Sequence, residues 1–413
     1  ATAPGNFTYI DEQQAWVWST FYPYQWDLNY TQPDVFAEMS QSLLQLANLG
    51  VEAFRLDSTG FLWKRAGTNC MNQPEVHWIL QAMRSLTNIA APGVLLKAEA
   101  IMPTQDLPPY FGLGETKGQE CHVAYHSSLL SASWMALAEE NTQIIQDVLS
   151  HTPALPDGCA WMTYVRCHDD IGWAIDDSDA AAAGVNGGGH RNFCADFYGN
   201  EFEGSFARGV HFQSNPLTGD RRTSGSAASL IGIQRAIENN DAADLNTAIN
   251  RLICAYAIVF GFGGIPLLYM GDELGMLNDE SYKNDPAKAD DNRWLHRPKM
   301  DWALAESAAK GEGVAGRVYE QIGKLITARK NLASIHASVT AETEVKNEGA
   351  LLLIRRKHAA GLLTEIYNLT EKTQYLDTFD VAFGDRVEAI SGRKMHFAGQ
   401  VAVPPYAAWW IHA

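Results

Sequence analysis

The sequence contains no apolar run of the roughly 18–20 residues that are needed to cross a bilayer. Its longest candidate, residues 252–262, predicts a buried helix instead. Basic side chains are also scarce, with 31 Lys and Arg against 48 Asp and Glu and a formal net charge of −17. Because no basic patch is available to neutralise phosphates, this balance argues against nucleic acid and membrane surfaces as partners. It leaves neutral substrates such as sugars open.

Metal-binding sequence patterns are absent as well. The six cysteines form no CxxC pair or other spacing typical of metal ligands, so the sequence predicts no metal and buried, reduced thiols. Reduced thiols fit a cytoplasmic location and leave secretion open.

Two short apolar runs end in a carboxylate, residues 51–57 in Asp57 and residues 93–99 in Glu99. Alternate side chains of a strand share a face, so we expect Arg55 to lie beside Asp57 and hold it ionised. A helical stretch joins the runs, which predicts a parallel βαβ unit that brings the two carboxyls together. Two carboxylates at neighbouring strand ends are the working groups of glycoside cleavage.

A third β-rich run, residues 160–167, is followed by His168, Asp169 and Asp170. Acidic residues often end strands simply because strand ends are hydrated, and for either carboxylate alone that interpretation outweighs catalysis. Three such ends, however, can surround one pocket at the carboxyl-terminal face of a barrel. The combination therefore favours a catalytic pocket.

Strand and helix patterns alternate up to residue 336, which predicts an α/β domain. Residues 8–31 are interpreted as an aromatic loop, and the Gly- and Asp-rich residues 172–226 as a long functional insertion. Short runs from residue 337 onward predict an antiparallel β-sandwich. The predicted strands are 51–57, 93–99, 122–125, 160–167 and 265–270, and the predicted helices are 33–48, 74–90, 103–112, 127–150, 241–262 and 315–331.

The motifs resemble those of the α-amylase superfamily of retaining glycoside hydrolases and, within it, the amylosucrases and the very similar sucrose hydrolases. Residues 55–57 with Lys64 resemble the nucleophile motif on the fourth barrel strand, residues 97–100 the acid/base motif on the fifth, and residues 165–170 the His-Asp motif on the seventh. The longer strings that carry the likeness are Phe61-Leu62-Trp63-Lys64, Ser205-Phe206-Ala207-Arg208-Gly209-Val210, Thr218-Gly219-Asp220 and Asp290-Asp291-Asn292-Arg293-Trp294.

The sequence departs from the family in one respect. The family's barrel has eight strands and an Asn-His signature after the third, whereas five strands are predicted here and no Asn-His pair occurs. The resemblance thus implies a partial (β/α)8 TIM barrel, strands four to eight, in residues 1–336, with a C-terminal β-sandwich in residues 337–413. We expect a C-terminal portion of a longer enzyme, insoluble or inactive when expressed alone, because an open barrel exposes sheet edges.

The resemblance also implies roles for the candidate residues. Asp57 would be the nucleophile, with Arg55 beside it at the substrate. Glu99 would be the acid/base that protonates the leaving fructosyl oxygen and then activates the acceptor. Asp169 and His168 would bind hydroxyls of the distorted glucosyl ring, so their contacts would strengthen in the transition state.

Further positions match residues around the leaving group and acceptor. Asp170 and Arg222 match positions that hold the fructosyl or acceptor unit. Phe21 and Ile101 match acceptor-side wall positions, although single apolar residues fit core packing equally well. Arg293 matches an arginine that closes the pocket by pairing with an upstream Asp; that Asp is missing, so we expect Arg293 to lack a counter-charge.

The implied reaction cleaves sucrose through a β-glucosyl-enzyme intermediate, transfers glucose to an α-1,4-glucan and releases fructose, without a cofactor or metal. Hydrolysis, with water as the acceptor, remains an alternative at this point, because the sequence does not reveal how the acceptor side excludes water. A non-catalytic sugar-binding fragment is an alternative of another class. A binding module has no need for both Asp57 and Glu99, which argues against it.

Overall fold

The computed structural model describes residues 6–215 and 219–412. Thr218, part of one of the strings quoted above, lies outside the described residues. The chain divides into two compact units: unit 1 comprises residues 1–125 and 153–162, and unit 2 comprises residues 126–152 and 163–413. No helix in the described ranges is long and apolar enough to span a bilayer. The predicted domain boundary at residue 336 stays a prediction.

Unit 1 is organised around parallel strands. Arg55 pairs with Lys97, Lys97 with Val123, and Tyr125 with Met162 in consecutive parallel ladders. A helix joins the first two strands, so the predicted βαβ unit is confirmed. The strands are Ala53–Leu56, Leu95–Ala98, Val123–Tyr125 and Ala160–Tyr164, whose last two residues belong to unit 2.

The two long helices of unit 1 agree with their predicted limits. They span Pro33–Asn48 and Pro74–Ala90. Each begins with proline, whose fixed φ and missing N–H suit the first helical position. Gly50, with φ +100°, follows the first helix in the left-handed conformation that glycine adopts without strain. The predicted helix 103–112 is instead a series of 3₁₀ turns, at Thr104–Asp106 and Pro108–Phe111, as the prolines before and inside it favour.

The prediction of a loop over residues 8–31 is wrong at its start. Strands Asn6–Ile10 and Ala15–Ser19 form an antiparallel hairpin. Phe7 faces Trp18 and Tyr9 faces Trp16, with ring centroids 5.0 and 5.2 Å apart. Each such cross-strand aromatic pair contributes about 0.2–1 kcal/mol. The aromatic residues therefore mark paired strands rather than a loop.

One further prediction is corrected in unit 2. The single amphipathic helix 127–150 is two helices, Ser127–Glu139 and Gln143–His151, because Glu140 adopts φ 56° and ends the first. The region interpreted as a functional insertion, residues 172–226, carries secondary structure, and its aromatic side chains pack on one another, as in the Phe197–Phe206 contact at 5.0 Å. It contains helices Asp177–Ala182 and Gly187–Tyr198 and the antiparallel strands Val210–Phe212 and Arg222–Ser224.

The remaining elements of unit 2 include the long helices that were predicted, Ala242–Gly261 and Gly313–Asn331. Unit 2 also contains the strand Ile265–Leu267. Short helices complete this part of the unit, at Ala227–Leu230, Ile233–Glu238, Asp272–Leu274, Glu280–Asn284, Asn292–His296 and Trp302–Ala309. Each of the five predicted strands is present but shorter than predicted. Their membership of an eight-stranded barrel stays a prediction.

The C-terminal region is antiparallel β, as predicted. Its main sheet has the order Ala341–Lys346, Leu351–His358, Gly361–Asn368, Ala408–His412. Alternate residues of this sheet, such as Leu351 and Leu353, pack in one core with Phe397 and Val403 from two further strand pairs. Those pairs are Gln374–Asp377 with Gln400–Val403, and Gly384–Val387 with Lys394–Phe397.

His126 makes the stability of unit 2 depend on pH. Burial lowers the pKa of this fully buried imidazole to about 3, and its ring accepts a hydrogen bond from the Leu129 N–H at 3.2 Å. The unfolded chain binds a proton near pH 6.5, whereas the folded chain does not. The stabilisation is therefore complete above about pH 6.5 and is lost as the pH falls toward 3.

Between pH 7 and pH 5, the free energy of unfolding should fall by about 2 kcal/mol less in His126→Gln than in the parent protein. Urea unfolding at both pH values measures this difference, and the carboxylates common to both proteins cancel from it. An unchanged pH dependence in the variant would contradict the assignment.

Candidate active site

The two carboxylates predicted from the sequence share one cation in unit 1. Arg55 lies in strand Ala53–Leu56 and donates from Nη1 to Asp57 Oδ1. Its Nη2 lies 3.6 Å from Glu99 Oε1. Burial lowers the pKa of the guanidinium, but the charges of Glu99 and Asp57 outweigh burial and raise it above its ordinary value. Arg55 therefore stays charged between the two acids.

The environments of the two carboxylates differ. The Asp57 side chain is 72% exposed, and the Glu99 side chain 15%. Glu99 Oε2 accepts a hydrogen bond of 2.7 Å from the Ser58 N–H, and the Glu99 N–H donates to Leu56 O at 3.0 Å. Ser58 has φ 48°, so the chain turns sharply after the strand to deliver this N–H. The backbone thus fixes Glu99, and Asp57 faces open space.

Sequence reasoning missed two contacts around this pair. Lys97 is buried, and its Nζ lies 3.2 Å from the centroid of the Tyr125 ring. Lys64 forms an ion pair of 2.6 Å with Asp27, which in turn accepts a 2.6 Å hydrogen bond from the Thr20 hydroxyl. The face of an aromatic ring attracts a lysine ammonium and so offsets part of the hydration that is lost on burial. The family motifs contain both lysines, but the partners lie on other segments and show no local signal.

The two proposed wall residues of unit 1 are both exposed. Phe21 packs edge-on against Phe61, with ring centroids 5.5 Å apart, and is still 38% exposed. Ile101 is 47% exposed and follows Glu99 by two residues. Core packing alone does not describe either side chain, and their role at a substrate stays a prediction.

In unit 2, the His-Asp motif lies among arginines. His168 Nε2 is 3.2 Å from Asp169 Oδ2. Asp169 Oδ1 lies 3.2 Å from Arg297 Nη2 and 3.5 Å from Arg293 Nη1. Arg297 Nε also donates to the His168 carbonyl. Arg297, which was not singled out from the sequence, thus fixes both the backbone and the carboxylate of the motif.

The predicted acceptor pair is also in contact. Arg222 Nη1 lies 3.3 Å from Asp170 Oδ2, and Arg222 is half-exposed while Asp170 is buried. Burial raises the pKa of Asp170, Arg222 lowers it, and the charge of Asp169 raises it again, with a net upward shift. The structure therefore brings together a buried acid and a solvent-facing cation next to the His-Asp motif.

The expectation that Arg293 lacks a counter-charge is wrong. Asp291 accepts two hydrogen bonds from its guanidinium, 2.8 Å from Nε to Oδ1 and 2.7 Å from Nη2 to Oδ2. Burial raises the pKa of Asp291, but the hydrogen bonds from Arg293 lower it, and the net shift is downward. Asp291, two positions before Arg293, therefore provides its counter-charge at the start of the Asn292–His296 turn.

A buried network supports the His-Asp motif from the segment that follows strand Ala160–Tyr164. Arg166 donates to Asp272 from Nε, at 2.9 and 3.1 Å, and from Nη2 at 2.6 Å, and the Tyr256 hydroxyl donates to the same carboxylate at 2.5 Å. The side chains of Arg166 and Asp272 are 2% and 0% exposed. Asp272 also begins the 3₁₀ turn Asp272–Leu274.

His296 completes this support as a neutral ring. Burial and the charge of Arg166 lower its pKa to about 3. Its Nδ1 accepts a hydrogen bond from the Gly225 N–H at 3.1 Å, so the proton resides on Nε2, which lies 3.2 Å from the His168 carbonyl and donates to it. The carbonyl of His168 therefore receives donors from both His296 and Arg297.

Comparison with known proteins gives the following likenesses. Residues 345–412 match the family model "Amylosucrase, C-terminal domain". The chain is 27% identical over 360 residues to "Trehalose synthase/amylase TreS" of Mycolicibacterium smegmatis, covering 87% of this chain and 53% of that protein. It is 24% identical over 411 residues to "Glucosylglycerate phosphorylase" of Escherichia coli, covering 98% of this chain and 68% of that protein. The chain spans about half the length of the trehalose synthases it matches.

Solved structures extend the likeness in fold. Sucrose 6F-phosphate phosphorylase from Thermoanaerobacter thermosaccharolyticum aligns with a TM-score of 0.65 at 18% identity, over 98% of this chain and 71% of that one. Eubacterium rectale Amy13B aligns with a TM-score of 0.64 at 14% identity, over 99% of this chain and 69% of that one. At these identities the alignments establish the similarity of fold.

Proposed function

We propose that this chain, a member of the α-amylase superfamily, belongs to a retaining glucosyltransferase that cleaves sucrose and transfers glucose to an α-1,4-glucan, releasing fructose. The observation that carries the proposal is the position of the Arg55 guanidinium, which reaches both Asp57 and Glu99 at the ends of neighbouring parallel strands. Retaining enzymes need two carboxyls about 5–5.5 Å apart, and a single guanidinium that contacts both acids suits that spacing.

The chemistry divides between the two acids according to their surroundings. Asp57, exposed and held by Arg55, attacks the anomeric carbon of the glucosyl unit, while the bond to the fructosyl oxygen breaks. Glu99, largely buried and anchored by the Ser58 N–H, donates its proton to that oxygen. It then takes a proton from the incoming acceptor hydroxyl as the acceptor attacks the covalent intermediate.

In unit 2, we assign Asp169 and His168 to the hydroxyls of the glucosyl ring. Arg297 and His296 position this motif through the His168 carbonyl, and Arg293 approaches the Asp169 carboxylate. Asp170 and Arg222 are assigned to the leaving fructosyl unit or the acceptor. A fixed carboxylate beside a sugar hydroxyl contributes most when the ring distorts, so Asp169 acts mainly in the transition state.

A second candidate is phosphorolysis, with inorganic phosphate as the acceptor. Two observations favour it. Arg222 is half-exposed, so its positive charge is available to an anion from solvent. Proteins named as phosphorylases align with nearly the whole chain. Arginine binds phosphate oxygens in a bidentate manner. Asp170 already partners Arg222 at 3.3 Å and offsets its charge, which is why transfer to a sugar is placed first.

Product analysis separates these reactions. We expect the intact enzyme that contains this chain, incubated with sucrose and a short α-1,4-glucan, to release fructose in excess over free glucose and to lengthen the glucan. Equal release of glucose and fructose would instead indicate hydrolysis. Glucose 1-phosphate formed only when inorganic phosphate is added would indicate phosphorolysis, and sucrose binding without any product would indicate a binding module.

A further inference from the structure

Two groups of three metal-ligand side chains converge within the described parts of the chain. One comprises Cys167, His168 and Asp169, and the other Asp196, Glu201 and His211; in each, the donor atoms lie within 4.8 Å of one another. The second group already surrounds a cation, since Arg221 Nη1 lies 2.6 Å from Asp196 Oδ1. The first group combines a sulfur, a ring nitrogen and a carboxylate oxygen, which is a donor set that zinc prefers.

We propose that Cys167, His168 and Asp169 bind a borderline-soft divalent cation, Zn²⁺ or Cd²⁺, and that this cation inhibits the enzyme. The distances suit a tetrahedral ion. His168 Nε2 lies 3.2 Å from Asp169 Oδ2, and a zinc ion bound to a nitrogen and an oxygen separates them by about 3.3 Å. Three protein ligands leave a fourth position for water, as in open zinc sites.

The two nearby arginines and His168 approach different oxygens of the Asp169 carboxylate. Arg293 and Arg297 approach Asp169 through Oδ1, whereas Oδ2 faces His168. Asp291 neutralises Arg293 through its two hydrogen bonds. The negative charges of Asp169 and of the Cys167 thiolate that forms on binding therefore favour a dication at this position, despite Arg297.

The site is specific to one thiol. The other five cysteines are buried, and Cys167 alone of the six is partly exposed. Because the cation would bind the same side chains that we assign to the glucosyl hydroxyls, it should compete with sucrose. This inhibition rests on the proposed function, whereas metal binding itself does not.

The test uses Cd²⁺, since a cadmium–thiolate bond absorbs in the ultraviolet. We expect one equivalent of Cd²⁺ to give this absorption with the purified protein, and Zn²⁺ to displace it. Cys167→Ser should abolish the band. Loss of outer-sphere partners alone weakens metal sites 10–100-fold, so losing a direct ligand should weaken binding at least about 100-fold. His168→Gln should retain the band with weaker binding.

Two controls address the alternatives. Cys70→Ser removes a buried thiol, and His211→Gln disrupts the second group, so both should leave the band unchanged. Far-ultraviolet circular dichroism establishes that each variant is folded. An unchanged band in folded Cys167→Ser, or no band with the parent protein at millimolar Cd²⁺, would overturn the site.

Inhibition is measured separately, relative to the metal-free rate of each variant. Zn²⁺ should raise the KM for sucrose with little change in kcat, and Cys167→Ser should require at least about 100-fold more Zn²⁺. Sucrose turnover that continues with the site occupied would refute the inhibitory role. A thiolate band in an intact enzyme that cleaves no sucrose would leave the metal site standing and reject the proposed function.

Discussion

Replacing Glu99 by Gln is expected to lower kcat for sucrose by about 10²–10⁴-fold if the proposed function holds, because in that reaction an amide cannot deliver the proton that the fructosyl oxygen needs. The Gln side chain has the shape of Glu and can still face the Ser58 N–H and Arg55, although its amide must orient to do so. Sucrose binding should therefore change little. Initial rates of fructose release measure kcat, and calorimetry measures sucrose binding to the same preparation.

Glu115→Gln is the matched control for this prediction. Glu115 is an exposed glutamate of unit 1, in the 3₁₀ turn Gly114–Thr116, and is remote in sequence from the motifs. Its replacement removes the same charge and should leave kcat unchanged. If Glu99→Gln retained both binding and full turnover, the acid/base assignment would be wrong. If the intact parent enzyme bound sucrose without cleaving it, the binding-module alternative would be favoured.

The sequence was most informative where a local pattern dictates geometry. Alternation along the predicted strand 51–57 placed Arg55 beside Asp57, and the structure confirms that contact. The two apolar runs and the helical stretch between them predicted the βαβ unit, which the structure contains. These features depend on neighbours a few residues away, which is the range over which periodicity and turn residues act. The catalytic roles of the carboxylates stay predictions.

The sequence was least informative where partners are distant or where a local partner replaces a distant one. Arg166 and Asp272 are 106 residues apart, and nothing local marks them as partners. Arg293 shows the reverse case: the family resemblance indicated a long-range counter-charge, but Asp291, two residues away, provides it. Helix Gly187–Tyr198 has weak periodicity and three initial glycines, and its buried aromatic contacts stabilise it instead.

Replacing Asp272 by Asn is expected to cost about 3–5 kcal/mol of unfolding free energy, because it leaves the buried Arg166 guanidinium without a counter-charge. The exposed pair of Lys357 and Glu342, 3.2 Å apart, provides the control, and Glu342→Gln should have no measurable effect on stability. Urea unfolding at pH 7 measures both. An Asp272→Asn protein as stable as its parent would show that the network contributes little.

A double variant separates the value of the Arg166–Asp272 pair from the penalty of breaking it. Replacing both residues by apolar ones, Arg166→Met with Asp272→Leu, removes both buried charges, so it should recover much of the stability that Asp272→Asn loses. Activity should not recover, because Arg166 also donates to the His296 carbonyl at 3.1 Å, and His296 orients the His168 carbonyl. A stable but inactive double variant would therefore indicate that the buried pair is retained to position the His-Asp motif rather than to stabilise the fold. Recovery of both stability and turnover would contradict that positioning role.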